Sequence, residues 1–293
     1  DRMGIGPLDV ALWDLAGKAY GAPIHEMLGT YRTRIPAYAS TYDADLRGGL
    51  DSPEKFADFA EACYEQGFRA FKVHGWGSEE WRDLDREIAT VHAIGERVGD
   101  RMDLMLDPAC QYETFADAVK VGRACDEWDF FWYEDPYRDA GISQHGHRKL
   151  RQLIDTPLLQ TEHVRGLEPK SDFAAAEATD FLRADPEYDG GITGVMKTAH
   201  MAEAYGLDVE LHAAGPAQRH CIAAIRNTNY YELSYVHPHC KNSVPPVYRD
   251  GYRDEFDSID EDGTVGVPDG PGLGVSYDWE FIEKNRTGRR VYE

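Results

Sequence analysis

Short apolar segments alternate with longer amphipathic segments along most of the chain. In a first segment, 7–28, apolar residues recur at helical spacing until Gly21 and Pro23 interrupt the pattern, which predicts one helix. Eight later segments have the length and composition of strands: 35–40, 70–74, 103–107, 130–134, 157–162, 181–185, 208–212 and 230–235. Between them, apolar residues three and four apart predict helices over 53–66, 79–98, 115–128, 172–179, 193–205 and 217–226, and 137–147 is predicted to be a polar loop.

Strands that alternate with helices predict parallel pairing through right-handed crossovers. Eight such strands over about 200 residues favour a TIM-like α/β barrel over an open doubly wound sheet, and no GxGxxG loop is present. The turn-rich tail is expected to pack on the barrel mouth or to belong to a second domain. We divide the chain into a helix and lead-in (1–34), a barrel (35–236) and a C-terminal segment (237–293).

Composition narrows the class of protein. The 293 residues include 53 acidic and 31 basic side chains, so the formal net charge is −22. No basic stripe suits nucleic acid or an anionic membrane surface, and no apolar run is long enough to span a bilayer. Five widely spaced cysteines without a CxxC pair indicate reduced thiols, so a cytoplasmic globular protein is expected. The acidic, lysine-poor composition is also compatible with adaptation to high salt.

Ionisable residues stand at the ends of the predicted strands, where a barrel of this kind carries its active site. Asp107, Glu134 and Glu162 end three successive strands and would repel one another without a cation. Oxygen-only ligation favours Mg²⁺, with Mn²⁺ as a substitute. The alternative for any one of these carboxylates is a helix cap or a pair with Arg.

Two groups of candidate acids and bases flank these carboxylates. Lys72 and His74 share one face of the second strand by the period of two. Asp185 and His212 end adjacent strands and could form a hydrogen-bonded pair, which makes an imidazole more basic. For a single histidine on a strand, the alternative is a hydrogen-bonded core residue.

The ordered set of these motifs resembles the mandelate racemase/muconate lactonizing enzyme branch of the enolase superfamily. The resemblance covers the whole chain and rests on these motifs in order: the early helix 8–18, Lys72-Val73-His74, Asp107, Glu134-Asp135-Pro136, Glu162, Asp185 with Gly190-Gly191-Ile192-Thr193-Gly194, His212 and Glu232. It implies a modified TIM barrel, (β/α)₇β, with a C-terminal segment that returns to an α+β capping domain largely absent from this chain. It also implies homo-oligomers.

The same resemblance implies a Mg²⁺ ion held by Asp107, Glu134 and Glu162, and a small carboxylate substrate whose α-proton is removed to give an enediolate. Under this carry-over, His212 paired with Asp185 is one acid or base. Lys72 would polarise the substrate carboxylate, and protonated Glu232 would donate a hydrogen bond to it.

Two positions depart from the family pattern. His74 stands where a second Lys is commonest, and Ala109 stands where relatives often carry an Asn. The His–Asp pair favours dehydration of a sugar acid to a 2-keto-3-deoxy acid. Racemisation or epimerisation of a 2-hydroxy acid is the alternative, followed by cycloisomerisation. Two rivals are a non-catalytic barrel and a phosphate-binding barrel that uses Gly190, Gly191 and Gly194.

Overall fold

Eight parallel strands form the centre of the structure. The computed structural model describes residues 4–42, 48–76, 82–138, 141–240, 246–249 and 251–291. The strands are β1 (Arg34–Thr41), β2 (Ala70–Val73), β3 (Asp103–Leu106), β4 (Trp132–Glu134), β5 (Leu158–Gln160), β6 (Phe181–Ala184), β7 (Asp208–Leu211) and β8 (Tyr231–Val236). Parallel pairing joins β1 to β7 in chain order, and β8 pairs with the other side of β1. All eight predicted strands are present.

In the part of the chain that the structure describes, seven helices connect these strands. Two helices come before β1: α1 (Gly6–Tyr20) and α2 (Ile24–Leu28). The connecting helices are α3 (Pro53–Gln66), α4 (Leu84–Val98), α5 (Phe115–Asp126), α6 (Gln144–Leu150), α7 (Leu167–Ala175), α8 (Gly191–Tyr205) and α9 (Pro216–Ala224). This order confirms the predicted (β/α)₇β form of the TIM barrel. The first residues of the helix predicted over 79–98 lie outside the described residues.

Side chains bridge the junction between β7 and β8, where no backbone ladder joins the strands in the described part of the chain. The buried carboxylate of Glu210 accepts hydrogen bonds from the backbone amides of Asn229 and Tyr230, at 3.0 and 3.2 Å. Burial raises the pKa of Glu210 to about 7. Near the mouth, Glu232 Oε2 accepts from the amide of Ala213 at 2.8 Å. These two glutamates therefore connect the last two strands of the barrel.

The segment predicted as one helix over 7–28 forms two helices, because Gly21 ends α1 in the left-handed region, at φ +69°. The apolar stripe of α1 is more than half exposed at Leu8, Leu12 and Leu15. The opposite face of α1 packs instead, through the buried Gly17, where a Cβ would lie 2.6 Å from the backbone of Gly272. Close backbone approach, rather than apolar periodicity, therefore determined which face is buried.

The Gly190–Gly194 run packs against α1. Asp9 Oδ2 accepts from the amide of Thr193 at 3.0 Å, and Asp9 Oδ1 accepts from the Thr193 hydroxyl at 2.7 Å. A Cβ on Gly191 would lie 2.2 Å from Oδ2 of Asp9. The carboxylate of Asp9 therefore caps the N-terminal turn of α8. This helix end already faces an anion, which argues against the phosphate-binding reading.

The predicted polar loop over 137–147 contains the first half of α6 instead. His147 in this helix is fully buried, its ring is stacked on Tyr137 with centroids 4.9 Å apart, and its Nδ1 donates to the carbonyl of Ser143 at 2.8 Å. The polar composition of this segment did not indicate that His147 is buried. Ser143 caps α6, and His147 lies on the buried face of that helix.

The C-terminal segment packs around the barrel. It contains β9 (Tyr248–Arg249), β10 (Thr264–Gly266), β11 (Ser276–Tyr277) and α10 (Trp279–Asn285). β10 pairs antiparallel with β1, with Ile35 opposite Val265. The division into 1–34, 35–236 and 237–293 stays a prediction. No described helix is long and apolar enough to cross a membrane.

Candidate active site

Three carboxylates converge at the C-terminal ends of neighbouring strands. Asp107 directly follows β3, Glu134 ends β4, and Glu162 lies two residues after β5. Parallel pairing of β3 with β4 and of β4 with β5 brings these ends to one rim of the barrel. Each residue offers one carboxylate oxygen, and the three oxygens lie within 4.8 Å of one another. We call this group the carboxylate triad.

The ammonium group of Lys72 lies among these carboxylates. Its Nζ is 2.9 Å from Oδ2 of Asp107, 2.8 Å from Oε2 of Glu134 and 3.2 Å from Oε1 of Glu232. Burial opposes the charge on Lys72, but the three carboxylates outweigh burial and raise its pKa well above the ordinary value. The rim is therefore an environment that stabilises positive charge.

The donor set fits a hard divalent cation, because the triad offers oxygen atoms only. Burial raises the pKa of Glu134 to about 7, against the attraction of Arg183. Burial also opposes ionisation of Asp107, but Lys72 and His74 hold its pKa well below the ordinary value. The negative charge of the triad is thus only partly compensated by neighbouring side chains, so Mg²⁺ or Mn²⁺ suits this position.

His74 contacts one end of the triad. Its Nδ1 is 2.8 Å from the carbonyl oxygen of Thr41, and its Nε2 is 2.9 Å from Oδ2 of Asp107. Both neighbours are acceptors, so both contacts are hydrogen bonds only when both ring nitrogens carry a proton. The Thr41 carbonyl keeps a proton on Nδ1, and Nε2 is consequently the nitrogen that can exchange one with a ligand.

His212 contacts the other end of the triad. Its Nδ1 donates to Oδ2 of Asp185 at 2.6 Å, and its Nε2 is 3.7 Å from Oε1 of Glu162. Burial opposes protonation of the imidazole, but the Asp185 hydrogen bond and the carboxylates of Glu162 and Glu232 outweigh it and raise its pKa to about 9. The structure therefore forms the predicted pair and holds His212 as an imidazolium at neutral pH.

Glu232 differs from its expected role as a protonated donor. Its Oε2 is 2.9 Å from Nη2 of Arg183, and its Oε1 is 3.2 Å from Nζ of Lys72. Burial opposes ionisation, but the two cations outweigh it and lower the pKa of Glu232 below its ordinary range. In this structure Glu232 is an ionised acceptor that holds Lys72 and Arg183 in place.

Arg183 was missed as a site residue by sequence reasoning. Besides Glu232, its guanidinium contacts Oε1 of Glu134 at 2.9 Å, the carbonyl of Leu211 at 3.2 Å and the hydroxyl of Tyr38 at 3.1 Å. A usable signal was present, because Arg183 precedes Asp185 by two residues and the period of a strand puts both on one face.

Several of these side chains line a cavity of about 210 Å³: Lys72, His74, Asp107, Glu162, His212 and Glu232. Its wall also includes Ala109 and four residues that were not predicted to belong to the site: Tyr42, His163, Ser234 and Tyr235. The rings of Tyr42 and Tyr235 are stacked with centroids 4.8 Å apart. At the position of the expected Asn, the backbone amide of Ala109 donates to Oδ1 of Asp107 at 2.8 Å. The cavity has the size and polarity for a small, charged ligand.

Comparison with known proteins agrees with this geometry. Residues 55–281 match the family described as "Enolase C-terminal domain-like". Among solved structures, the chain is similar to D-glucarate dehydratase from Agrobacterium tumefaciens complexed with magnesium, with 31% identity and a TM-score of 0.86 over 98% of this chain and 74% of that one. It is also similar to a racemase from Streptomyces coelicolor A3(2) with bound magnesium, with 25% identity and a TM-score of 0.76 over 97% of this chain and 74% of that one.

A curated relative is D-gluconate dehydratase from Thermoproteus tenax, which is 29% identical over 96% of this chain. The chain spans 56% of that relative's length. The family match covers most of the chain, and the fold agrees with that of the solved structures. The chain therefore belongs to the enolase superfamily, within its mandelate racemase/muconate lactonizing enzyme branch.

Proposed function

We propose that this chain carries the active site of a Mg²⁺-dependent sugar-acid dehydratase. The substrate would be a small hydroxylated carboxylate and the product a 2-keto-3-deoxy acid. The main supporting observation is the 2.6 Å hydrogen bond between His212 and Asp185 beside the carboxylate triad, because it makes His212 an acid at neutral pH. Two of the relatives reported above, the gluconate and glucarate dehydratases, support the class of substrate.

Asp107, Glu134 and Glu162 would hold the metal. When bound, Mg²⁺ would supply positive charge that stabilises the anion formed when the substrate carboxylate loses its α-proton. Lys72 would add a second positive charge at the same rim. Its Nζ is held by the carboxylate of Glu232, with Oε1 at a distance of 3.2 Å. The carboxylate end of the substrate would therefore bind at this part of the rim, beside the triad and Lys72.

The two histidines would perform the proton transfers. We assign His74 in its neutral form as the base, because the Thr41 carbonyl retains the proton on Nδ1. Nε2, which lies 2.9 Å from Oδ2 of Asp107 in this structure, would then be the nitrogen that accepts the α-proton. His212 would then give its Nε2 proton to the departing β-hydroxyl, which leaves as water, while Asp185 stabilises the imidazole through Nδ1. The resulting enol becomes the 2-keto acid.

Racemisation or epimerisation is the second candidate. A specific observation favours it: His74 and His212 contact opposite ends of the triad, through Asp107 and Glu162, so one could remove a proton and the other return it. Cycloisomerisation is less favoured, because His212 and not a Lys stands on the second flank. A non-catalytic barrel is disfavoured, since the triad and both flanks are complete.

A substrate screen tests the proposal. The protein is incubated with Mg²⁺ and a library of aldonic and aldaric acids in deuterated water, and products are followed by proton NMR. We expect a 2-keto-3-deoxy product from at least one acid, lost in His212→Asn and retained in the control His200→Asn, which changes an exposed histidine. Exchange of the α-proton without a keto product would favour racemisation or epimerisation over dehydration. If no acid gives either reaction, both the dehydratase and the racemase proposals are overturned.

A further inference from the structure

A second group of ligating side chains lies beside the carboxylate triad. Cys110, Asp135 and His163 follow β3, β4 and β5, the same strands that carry the triad. Sγ of Cys110, a carboxylate oxygen of Asp135 and a ring nitrogen of His163 lie within 4.8 Å of one another. The amide of Cys110 donates to the backbone carbonyl of Asp135 at 2.7 Å, which holds two of these residues together. Sulfur, oxygen and nitrogen donors therefore converge on one point.

Asp135 is the unusual member of this group. It is only 2% exposed, and neither carboxylate oxygen has a hydrogen-bond partner among the residues that the structure describes. A ring nitrogen, Nε2 of His163, is 3.9 Å from Oδ2, which is beyond hydrogen-bond distance. The ionised form of a buried carboxylate without donors is costly unless a cation binds it. The geometry of this residue thus indicates a positively charged ligand.

We propose that Cys110, Asp135 and His163 form a second metal site, which prefers a borderline divalent transition metal such as Zn²⁺ or Co²⁺ to Mg²⁺. A thiolate and an imidazole are ligands that these metals favour and Mg²⁺ does not. The thiol of Cys110 releases its proton to solvent on binding. Three protein ligands leave one tetrahedral position for water or for an oxygen of a ligand in the cavity, which His163 also lines.

The two sites would therefore bind different cations: the oxygen ligands of the triad favour Mg²⁺, and the second site favours Zn²⁺ or Co²⁺. His163 lies between them, with Nε2 3.7 Å from Oε1 of Glu162 in the triad and 3.9 Å from Asp135. A metal at the second site would add charge beside the cavity without replacing the ion at the triad. This inference does not depend on which reaction the enzyme catalyses.

Cobalt provides a readout that the all-oxygen triad cannot give. The protein is first saturated with Mg²⁺ and then titrated with Co²⁺, and the near-ultraviolet charge-transfer band of a thiolate–Co²⁺ bond is recorded. We expect one equivalent of Co²⁺ to produce the band and Zn²⁺ to abolish it, because an all-oxygen triad cannot generate it. Failure to observe the band would overturn the proposal.

Two variants show which thiol is responsible. In Cys110→Ser, we expect the band to disappear and the affinity for Zn²⁺ to fall by more than about tenfold, while the affinity for Mg²⁺ changes by less than about twofold. The retained Mg²⁺ affinity shows that the variant is folded. Cys240→Ser, which changes a cysteine of similar exposure outside the group, is the control and should keep the band. An unchanged band in Cys110→Ser would contradict the assignment.

Discussion

The imidazole of His212 donates a hydrogen bond of 2.6 Å from Nδ1 to Oδ2 of Asp185. Among the interactions that raise the pKa of His212 against the effect of burial, this bond is the largest. The two residues come from the ends of β7 and β6, which pair along four residues. The pairing of β6 with β7 therefore places Asp185 where it raises the pKa of His212, the proposed catalytic acid.

Asp185→Asn is expected to lower the pKa of His212 from about 9 toward its ordinary value of 6.5. Because the proposed acid must be protonated, activity declines as pH rises through this pKa, so the decline should begin at lower pH in the variant. We also expect a loss of roughly 10²- to 10⁴-fold in turnover. The measurement is a pH–rate profile on the substrate found by the screen. Asp172→Asn, at an exposed position, is the control, and an unshifted profile in Asp185→Asn would contradict this role.

Glu162→Gln keeps the size of a triad ligand and removes its charge. We expect the affinity for Mg²⁺ to fall by at least about tenfold, measured by calorimetry. Mg²⁺ should raise the melting temperature of the parent protein and have little effect on that of the variant, because binding to the folded state stabilises it. Glu283→Gln, at an exposed site, should bind Mg²⁺ like the parent. Equal affinities in both variants would remove Glu162 from the metal site.

Arg183→Met leaves the carboxylates of Glu134 and Glu232 buried without their guanidinium partner. Removing one partner of a buried ion pair is expected to cost about 3–5 kcal/mol in the free energy of unfolding. The control Arg226→Met removes an exposed ion pair with Glu203, which is worth at most about 1 kcal/mol. Urea denaturation followed by circular dichroism measures both. A similar small loss in the two variants would show that Arg183 is not structurally required.

Two buried histidines predict a loss of stability in mild acid. Burial lowers the pKa of both His147 and His220 from 6.5 to about 4. Nε2 of His147 has no hydrogen-bond partner among the described residues, and Nδ1 of His220 accepts the amide of His25, so neither nitrogen can be protonated without loss. The unfolded chain binds these protons first, so stability is complete above pH 6.5 and falls as the pH drops toward 4.

Each of these histidines should contribute roughly 2–3 kcal/mol to that fall. His147→Gln should make the dependence of the unfolding free energy on pH less steep over this range. His200→Asn changes an exposed histidine and should leave the slope unaltered. Denaturation curves at successive pH values measure the slope, and an unchanged slope in His147→Gln would contradict the assignment.

The sequence alone determined the barrel, because the alternation of strand-length and helix-length segments leaves few topologies once parallel pairing is required. It also identified the triad, His74, His212 and Asp185, since polar residues at strand ends must meet at one rim. Helical periodicity correctly predicted α1, but it did not show that Leu8, Leu12 and Leu15 are exposed while Gly17, on the opposite face, packs against Gly272.

Only the tertiary structure decided the charge states and the neighbours of these groups. The ionised state of Glu232 depends on Lys72 and Arg183, which come from two other strands. The burial of His147 depends on the short helix α6, which the polar composition of the segment did not predict. Hydrogen bonds and Coulomb interactions act across distances of a few ångströms in space, and the order of residues along the chain does not specify those distances.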